Sequence, residues 1–161
     1  MMDAYLKTVS KLSTVMYAFS AVVLSFMMLL TVSDVILRYL GRPIPGTYEL
    51  VGLSGAIAIG FAIPYTSLVR GHVFVEFLID RMEKGRREVV LIFTKILILL
   101  LFIAFGTYLF ITGMDMAASG EVTQILRLPF YPVAYAVGVA CFIECLVMVS
   151  DIVKLAGGDY E

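Results

Sequence analysis

Val89-Val-Leu-Ile-Phe-Thr-Lys95-Ile-Leu-Ile-Leu-Leu-Leu-Phe-Ile-Ala-Phe-Gly-Thr-Tyr-Leu-Phe-Ile-Thr-Gly113 carries a single charge, Lys95. A helix rises about 1.5 Å per residue, so crossing a hydrocarbon core about 30 Å thick takes roughly 20 apolar residues. This stretch meets that length and is far too long for an ordinary strand. Outward from it, three further windows do the same: 12–33 and 50–69, which carry no charge, and 128–150, which holds only Glu144. Barrel strands would show short alternating segments, whereas these runs are continuous. In hydrocarbon the remaining option is the helix, which pairs its backbone groups internally. The composition agrees. Of 161 residues, 61% are hydrophobic and 16% charged, against about 45–50% and about 25% in soluble domains. The expected fold is an all-α integral membrane protein, a single four-helix domain over residues 1–161.

Lys and Arg set the orientation. If the N-terminus is inside, Lys7, Lys11, Arg70, Arg81, Lys84, Arg86, Arg87 and Lys154 lie on the cytoplasmic side, while Arg38, Arg42 and Arg127 lie outside. Both termini are therefore expected in the cytoplasm. The first window follows a basic start, but its apolar core exceeds the roughly 7–15 residues of a signal peptide and no A-x-A site follows. It is read as a retained span. Trp is absent, which leaves Tyr39, Tyr48, Tyr131 and Tyr135 as interfacial anchors near the outer boundary.

The inner connection runs Arg70-Gly71-His72-Val73-Phe-Val-Glu76-Phe-Leu-Ile-Asp80-Arg81 and on to Glu88. Val73, Phe74, Phe77, Leu78 and Met82 recur at helical spacing, with Glu76, Asp80, Glu83 and Lys84 largely opposite. That pattern predicts a short amphipathic helix in the headgroup plane, its basic end drawn to anionic membrane lipids. The competing reading extends a spanning helix into water.

Several side chains have the chemistry of a site. Asp34 and Arg38, four apart, can pair on one helix face, and Glu49 opens the second helix, where a carboxylate suits the positive end. Capping and bracing of the helical hairpins explain them more simply than an ion or substrate site. Lys95 and Glu144 are costly in hydrocarbon, by perhaps 2.5–3.5 kcal/mol each. Lys95 lies seven residues in from Glu88 and Glu144 seven before Asp151. The two thus sit at matching depth and could neutralise one another as an ion pair across antiparallel helices; the other structural reading has Lys95 snorkelling inward, and the functional alternative is a proton relay. Gly52, Ala56 and Gly60 place small residues on one stripe, suited to close helix packing. Cys141 and Cys145 read as small core residues. His72 has no second ligand nearby, so no metal site is expected, and no phosphate loop or nucleophile motif is present. No cofactor and no catalysis are implied. The net charge of −1 argues against nucleic acid.

Three segments in order carry a resemblance. They are Asp34-Val-Ile-Leu-Arg38-Tyr39 with Pro43 and Tyr48-Glu49-Leu50, then Arg70-Gly71-His72-Val73-Phe-Val75-Glu76, then Leu126-Arg-Leu128-Pro129 with Tyr135 and Gly138. Together they resemble the small, Q-type membrane subunit of tripartite ATP-independent periplasmic (TRAP) transporters over nearly the whole chain. The family often has Trp before an acidic pair where Tyr48 and a single Glu49 stand here, and commonly Asp at the position of Glu76. The resemblance implies a subunit of a sodium-driven importer of organic acids in the cytoplasmic (inner) membrane of a prokaryote. A periplasmic substrate-binding protein would deliver solute to a large membrane subunit that carries the transport sites. The small subunit would scaffold the large one and help dock the binding protein. Arg38, Arg42, Tyr48 and Glu49 are the expected docking residues. Gly71, His72, Val73 and Glu76 are the family motif of the inner loop. The rival reading is a small proton-coupled homodimeric exporter using Glu144, whose mutation to Gln would then abolish transport by the chain alone.

Overall fold

The computed structural model describes residues 2–69 and 84–156. Among these residues four helices account for the architecture: α1 (Met2–Tyr39), α2 (Thr47–Leu68), α3 (Lys84–Ser119) and α4 (Tyr131–Ala156). All four are long and apolar enough to cross a membrane. The spans expected at 12–33, 50–69, 89–113 and 128–150 fall on these helices, with the largest differences at the ends. α1 and α3 hold 38 and 36 residues, or roughly 57 and 54 Å of helix, so both outrun the hydrocarbon core. The charged residues that bound a window do not stop a helix, because backbone bonding continues wherever polar side chains can reach water. The fourth span begins later than expected, since Leu128 is taken up in the preceding loop. The amphipathic segment expected between the second and third spans lies outside the described residues.

α4 is the central helix. It packs along α3 on one side and α2 on the other, while α1 packs mainly on α2. Half of the most apolar window of α4 is buried inside the chain, against 11% for α1. Ala140, Cys141, Cys145, Val147 and Met148 form the heart of this core. Lipid is as apolar as leucine, so burial of apolar area contributes little to helix association in a bilayer; close packing and polar contacts take its place. On the α1–α2 seam, Ser20 Oγ donates to the Ala58 carbonyl at 2.6 Å. The Tyr17 and Tyr65 rings stack there at 4.3 Å. Tyr5 Oη donates to the Leu146 carbonyl at 3.0 Å and ties α1 to α4. On the α3–α4 seam, the Phe110 ring packs on Tyr135 and Phe142, with centroids 5.4 and 5.7 Å away. Gly138 makes that approach possible, because a Cβ there would fall 2.9 Å from the Phe110 ring.

Between α1 and α2 the chain reverses within a few residues. Arg42 N–H bonds back to the Leu37 carbonyl at 2.8 Å across Gly41, which has φ +75°, the closing pattern of a helix terminated by a left-handed glycine. Gly46, at φ +78°, then starts α2 by accepting from the Glu49 and Leu50 amides. Between α3 and α4, Val122 and Pro129 pair as an isolated antiparallel bridge. Thr123 supports it twice, its amide bonding the Leu128 carbonyl at 2.9 Å and its hydroxyl accepting from the Leu128 amide at 3.0 Å.

Candidate functional site

Polar chemistry concentrates at the two ends of the bundle. At the end bearing the α1–α2 and α3–α4 loops, Asp34 is buried and works in two directions. Its Oδ1 accepts the Ile44 amide at 2.9 Å and its Oδ2 accepts from Arg38 at 2.7 Å. The carboxylate thereby holds the first loop against the end of α1. The Arg38 side chain remains 54% exposed, so this ion pair itself adds little stability; the loop bond is the structural part.

Glu49, half-buried in the first turn of α2, accepts the Ile125 amide on one oxygen at 2.7 Å and the Leu126 amide on the other at 2.9 Å. A single carboxylate thus clips the second loop onto the helix opened by the first. Bonds from two amides to one ionised acceptor are stronger and more directional than neutral ones. The bracing expected of Asp34 and Glu49 is what the structure shows, and it joins the two loops into one surface. We expect Glu49→Gln, which replaces one acceptor oxygen by a donor, to speed amide hydrogen exchange at Ile125 and Leu126 several-fold while leaving α1 unchanged; residue-resolved exchange measures it.

Tyr39, Arg42 and Tyr48 stand exposed on this surface, with Tyr48 next to Arg38. Tyr135, expected as an interfacial anchor, is instead turned onto Phe110 in the α3–α4 seam. Beside Glu49 a cleft of about 650 Å³ opens between α2, the end of α3 and the start of α4, with Gly52, Ala56, Met116, Phe130 and Ala134 in its wall.

Within this chain only part of the expected packing stripe meets a neighbouring helix. Of Gly52, Ala56 and Gly60, only Gly60 is packed, its Cβ position 3.1 Å from Val137 of α4. Gly52 and Ala56 are exposed, and nothing approaches within 4 Å of the Gly52 Cβ position. Small residues permit close approach without causing it, and here the end of the stripe nearer the two loops lines open space.

At the other end, the pair expected between Lys95 and Glu144 has a second claimant: Lys95 Nζ bonds Asp151 Oδ2 at 2.6 Å. Both residues are buried. Seven residues separate Asp151 from Glu144, which places both carboxyls on one stripe of α4 about 10 Å apart. Lys95 therefore had two acceptors on the same face and takes the one nearer the helix end, where an ion pair is less costly to bury. Glu144, with no exposed surface, is hydrogen-bonded through Oε1 to Ser67 Oγ of α2 at 2.6 Å. Its Oε2 has no hydrogen-bond partner among the described residues. Ser67 was missed by sequence reasoning because one serine near a helix end has no periodic signal. Asp151 bounds the fourth apolar window, and its spacing from Glu144 places it on the same face. Cys141 and Cys145 are buried and unbridged, as core residues should be. Gly71, His72, Val73 and Glu76 lie outside the described residues.

A family model described as tripartite ATP-independent periplasmic transporters, DctQ component, matches residues 27–158. The chain belongs to the DctQ family. The match covers about the last third of α1 and everything up to the end of α4, including every side chain of the two polar clusters. It makes this DctQ chain a component of a tripartite transporter and places it in a transporter family rather than an enzyme family. Comparison with individually curated proteins finds no match.

Proposed function

We propose that this DctQ chain is the non-translocating scaffold subunit of a sodium-driven importer of organic acids in the inner membrane. It packs against a large membrane subunit and offers its loop-bearing face to a periplasmic binding protein. The observation that carries this reading is the clamping of both outer loops, by Asp34 and by Glu49, beneath exposed Arg38, Arg42, Tyr39 and Tyr48. Arg and Tyr dominate the energetics of protein interfaces, and a rigid surface loses less conformational entropy on docking. The Lys and Arg asymmetry supports both termini on the cytoplasmic side, which turns this face toward the periplasm. The exposed apolar flank of α1, with Val15, Phe19, Val22, Phe26 and Leu29, supports packing against lipid or a larger partner.

Reconstitution into sealed vesicles tests it. Solute should accumulate along a sodium gradient only when this chain, the large subunit and the loaded binding protein are all present. Uptake by this chain alone would overturn the reading, as would full activity of the large subunit without it. For the docking residues we expect Arg42→Ala and Tyr48→Ala each to weaken capture of the binding protein by about 5–30-fold, the equivalent of roughly 1–2 kcal/mol per interface residue. Titration of uptake against binding-protein concentration measures this.

A further inference from the structure

We infer that Arg127 is a docking residue of the loop-bearing face, its guanidinium held out for a carboxylate on the surface of the binding protein. The inference rests on the docking role proposed for that face, and adds a residue and the chemistry of its counterpart. Arg127 has φ +52° and is the one residue other than glycine with a left-handed backbone among the described residues. A Cβ makes that conformation costly, so glycine usually takes it, as Gly41, Gly46 and Gly120 do here. A residue held this way points to function when nothing inside the chain accounts for it.

The surrounding chain does not account for the arginine. Its side chain is exposed, and among the described residues no ion pair, hydrogen bond or ring contact engages it. What the fold does hold is the backbone on both sides. The Ile125 and Leu126 amides are bound to Glu49 at 2.7 and 2.9 Å. Beyond Arg127, the Leu128 amide bonds the Thr123 hydroxyl at 3.0 Å and the Leu128 carbonyl accepts the Thr123 amide at 2.9 Å. Arg127 thus stands in a segment pinned before and after it, with its own side chain left free. Glycine would meet the backbone requirement at less cost, so the guanidinium has its use outside this chain.

The face supplies the rest. The Leu126 side chain lies against Gly46, which sets Arg127 beside the junction of the two loops, on the surface that carries Arg42 and Tyr48. Arg42 is likewise exposed and has no acidic partner among the described residues. The acids of the junction are already engaged, Asp34 by Arg38 and the Ile44 amide, Glu49 by the two loop amides. Asp115 and Glu121, exposed near the end of α3, form no ion pair with either arginine. Two open guanidinium groups on one rigid surface suit an acidic partner, because the planar fork matches a carboxylate through two parallel hydrogen bonds. The pinned loop fixes where that fork stands, which reduces the entropy lost on docking.

The test uses the reconstituted three-component transporter and reads uptake against the concentration of loaded binding protein. Arg127→Gly and Arg127→Ala should each need about 5–30-fold more binding protein for half-maximal uptake. Arg127→Glu should need more again, because it repels the carboxylate, and the gap between wild type and Arg127→Ala should shrink as salt rises. Arg127→Gly should unfold at no lower temperature than wild type, since the conformation suits glycine. A lower temperature would show that the side chain braces the fold, and would overturn the inference. So would wild-type capture by Arg127→Ala, or a loss confined to Arg127→Gly, which would trace the effect to backbone freedom. Equal capture by Arg127→Glu and Arg127→Ala would exclude an acidic counterpart. Intact capture with weaker retention of anionic phospholipid by the purified complex would assign the guanidinium to lipid headgroups instead. The docking role itself is judged by Arg42→Ala and Tyr48→Ala. If these also leave capture unchanged, that reading fails; if they weaken it and the Arg127 variants do not, this inference alone falls.

Discussion

Replacing Lys95 by Met should destabilise the folded chain by about 3–5 kcal/mol, because it leaves the Asp151 carboxylate buried without the ammonium that neutralises it. The pair is well shielded, with side-chain exposures of 5% and 12% and a 2.6 Å separation. Removing one member of such a pair costs more than the pair itself contributes, since the remaining charge keeps its desolvation penalty. The double variant Lys95→Met with Asp151→Leu should therefore recover most of the loss, as buried ion pairs replaced by apolar groups often do. Thermal or denaturant unfolding of the four chains in one double-mutant cycle measures both effects. If Glu144 were the true partner, Asp151→Leu would not rescue Lys95→Met.

The second large effect is expected at the loop-bearing face, from Gly46→Ala. The residue has φ +78°, a conformation costing roughly 1–2 kcal/mol for a residue with a Cβ. The added methyl would also meet Leu126 Cγ at 2.5 Å, and overpacking of this kind costs about 1–3 kcal/mol. Leu126 cannot retreat freely, because its own amide is held by Glu49 at 2.9 Å. The substitution therefore pushes apart the two loops that Glu49 joins. We expect a loss of about 2–4 kcal/mol overall and, on the scaffold reading, impaired capture of the binding protein although Arg42 and Tyr48 are intact. Unfolding combined with amide exchange at Ile125 and Leu126 measures it, and unchanged exchange there would show that the loops are not coupled through Gly46.

Several parts of this arrangement are readable from residues taken in order. Asp34 and Arg38 pair because four residues bring side chains onto one helix face. The Pro- and Gly-rich stretches turn between helices, and Gly41 and Gly46 take the left-handed backbone that glycine allows. Other parts were not readable in that way. Nothing near Glu49 announces the amides of Ile125 and Leu126, which arrive from 76 and 77 residues away. The Gly52, Ala56 and Gly60 stripe is regular in spacing, yet only Gly60 meets a neighbour. A small residue records where two helices could approach, not where their axes converge.

The four spans and the segments joining them follow from the chain alone. Crossing hydrocarbon demands internal backbone bonding and about 20 apolar residues, and both conditions are local. Tertiary packing decided the pairings: Lys95 with Asp151, Ser67 with Glu144, and Glu49 with the α3–α4 loop. Hydropathy leaves a spanning helix free to rotate and slide along its axis. Those two freedoms are removed only by contacts such as Gly138 beneath Phe110 and Gly60 against Val137, and a shift of one or two turns is enough to exchange one carboxylate for another.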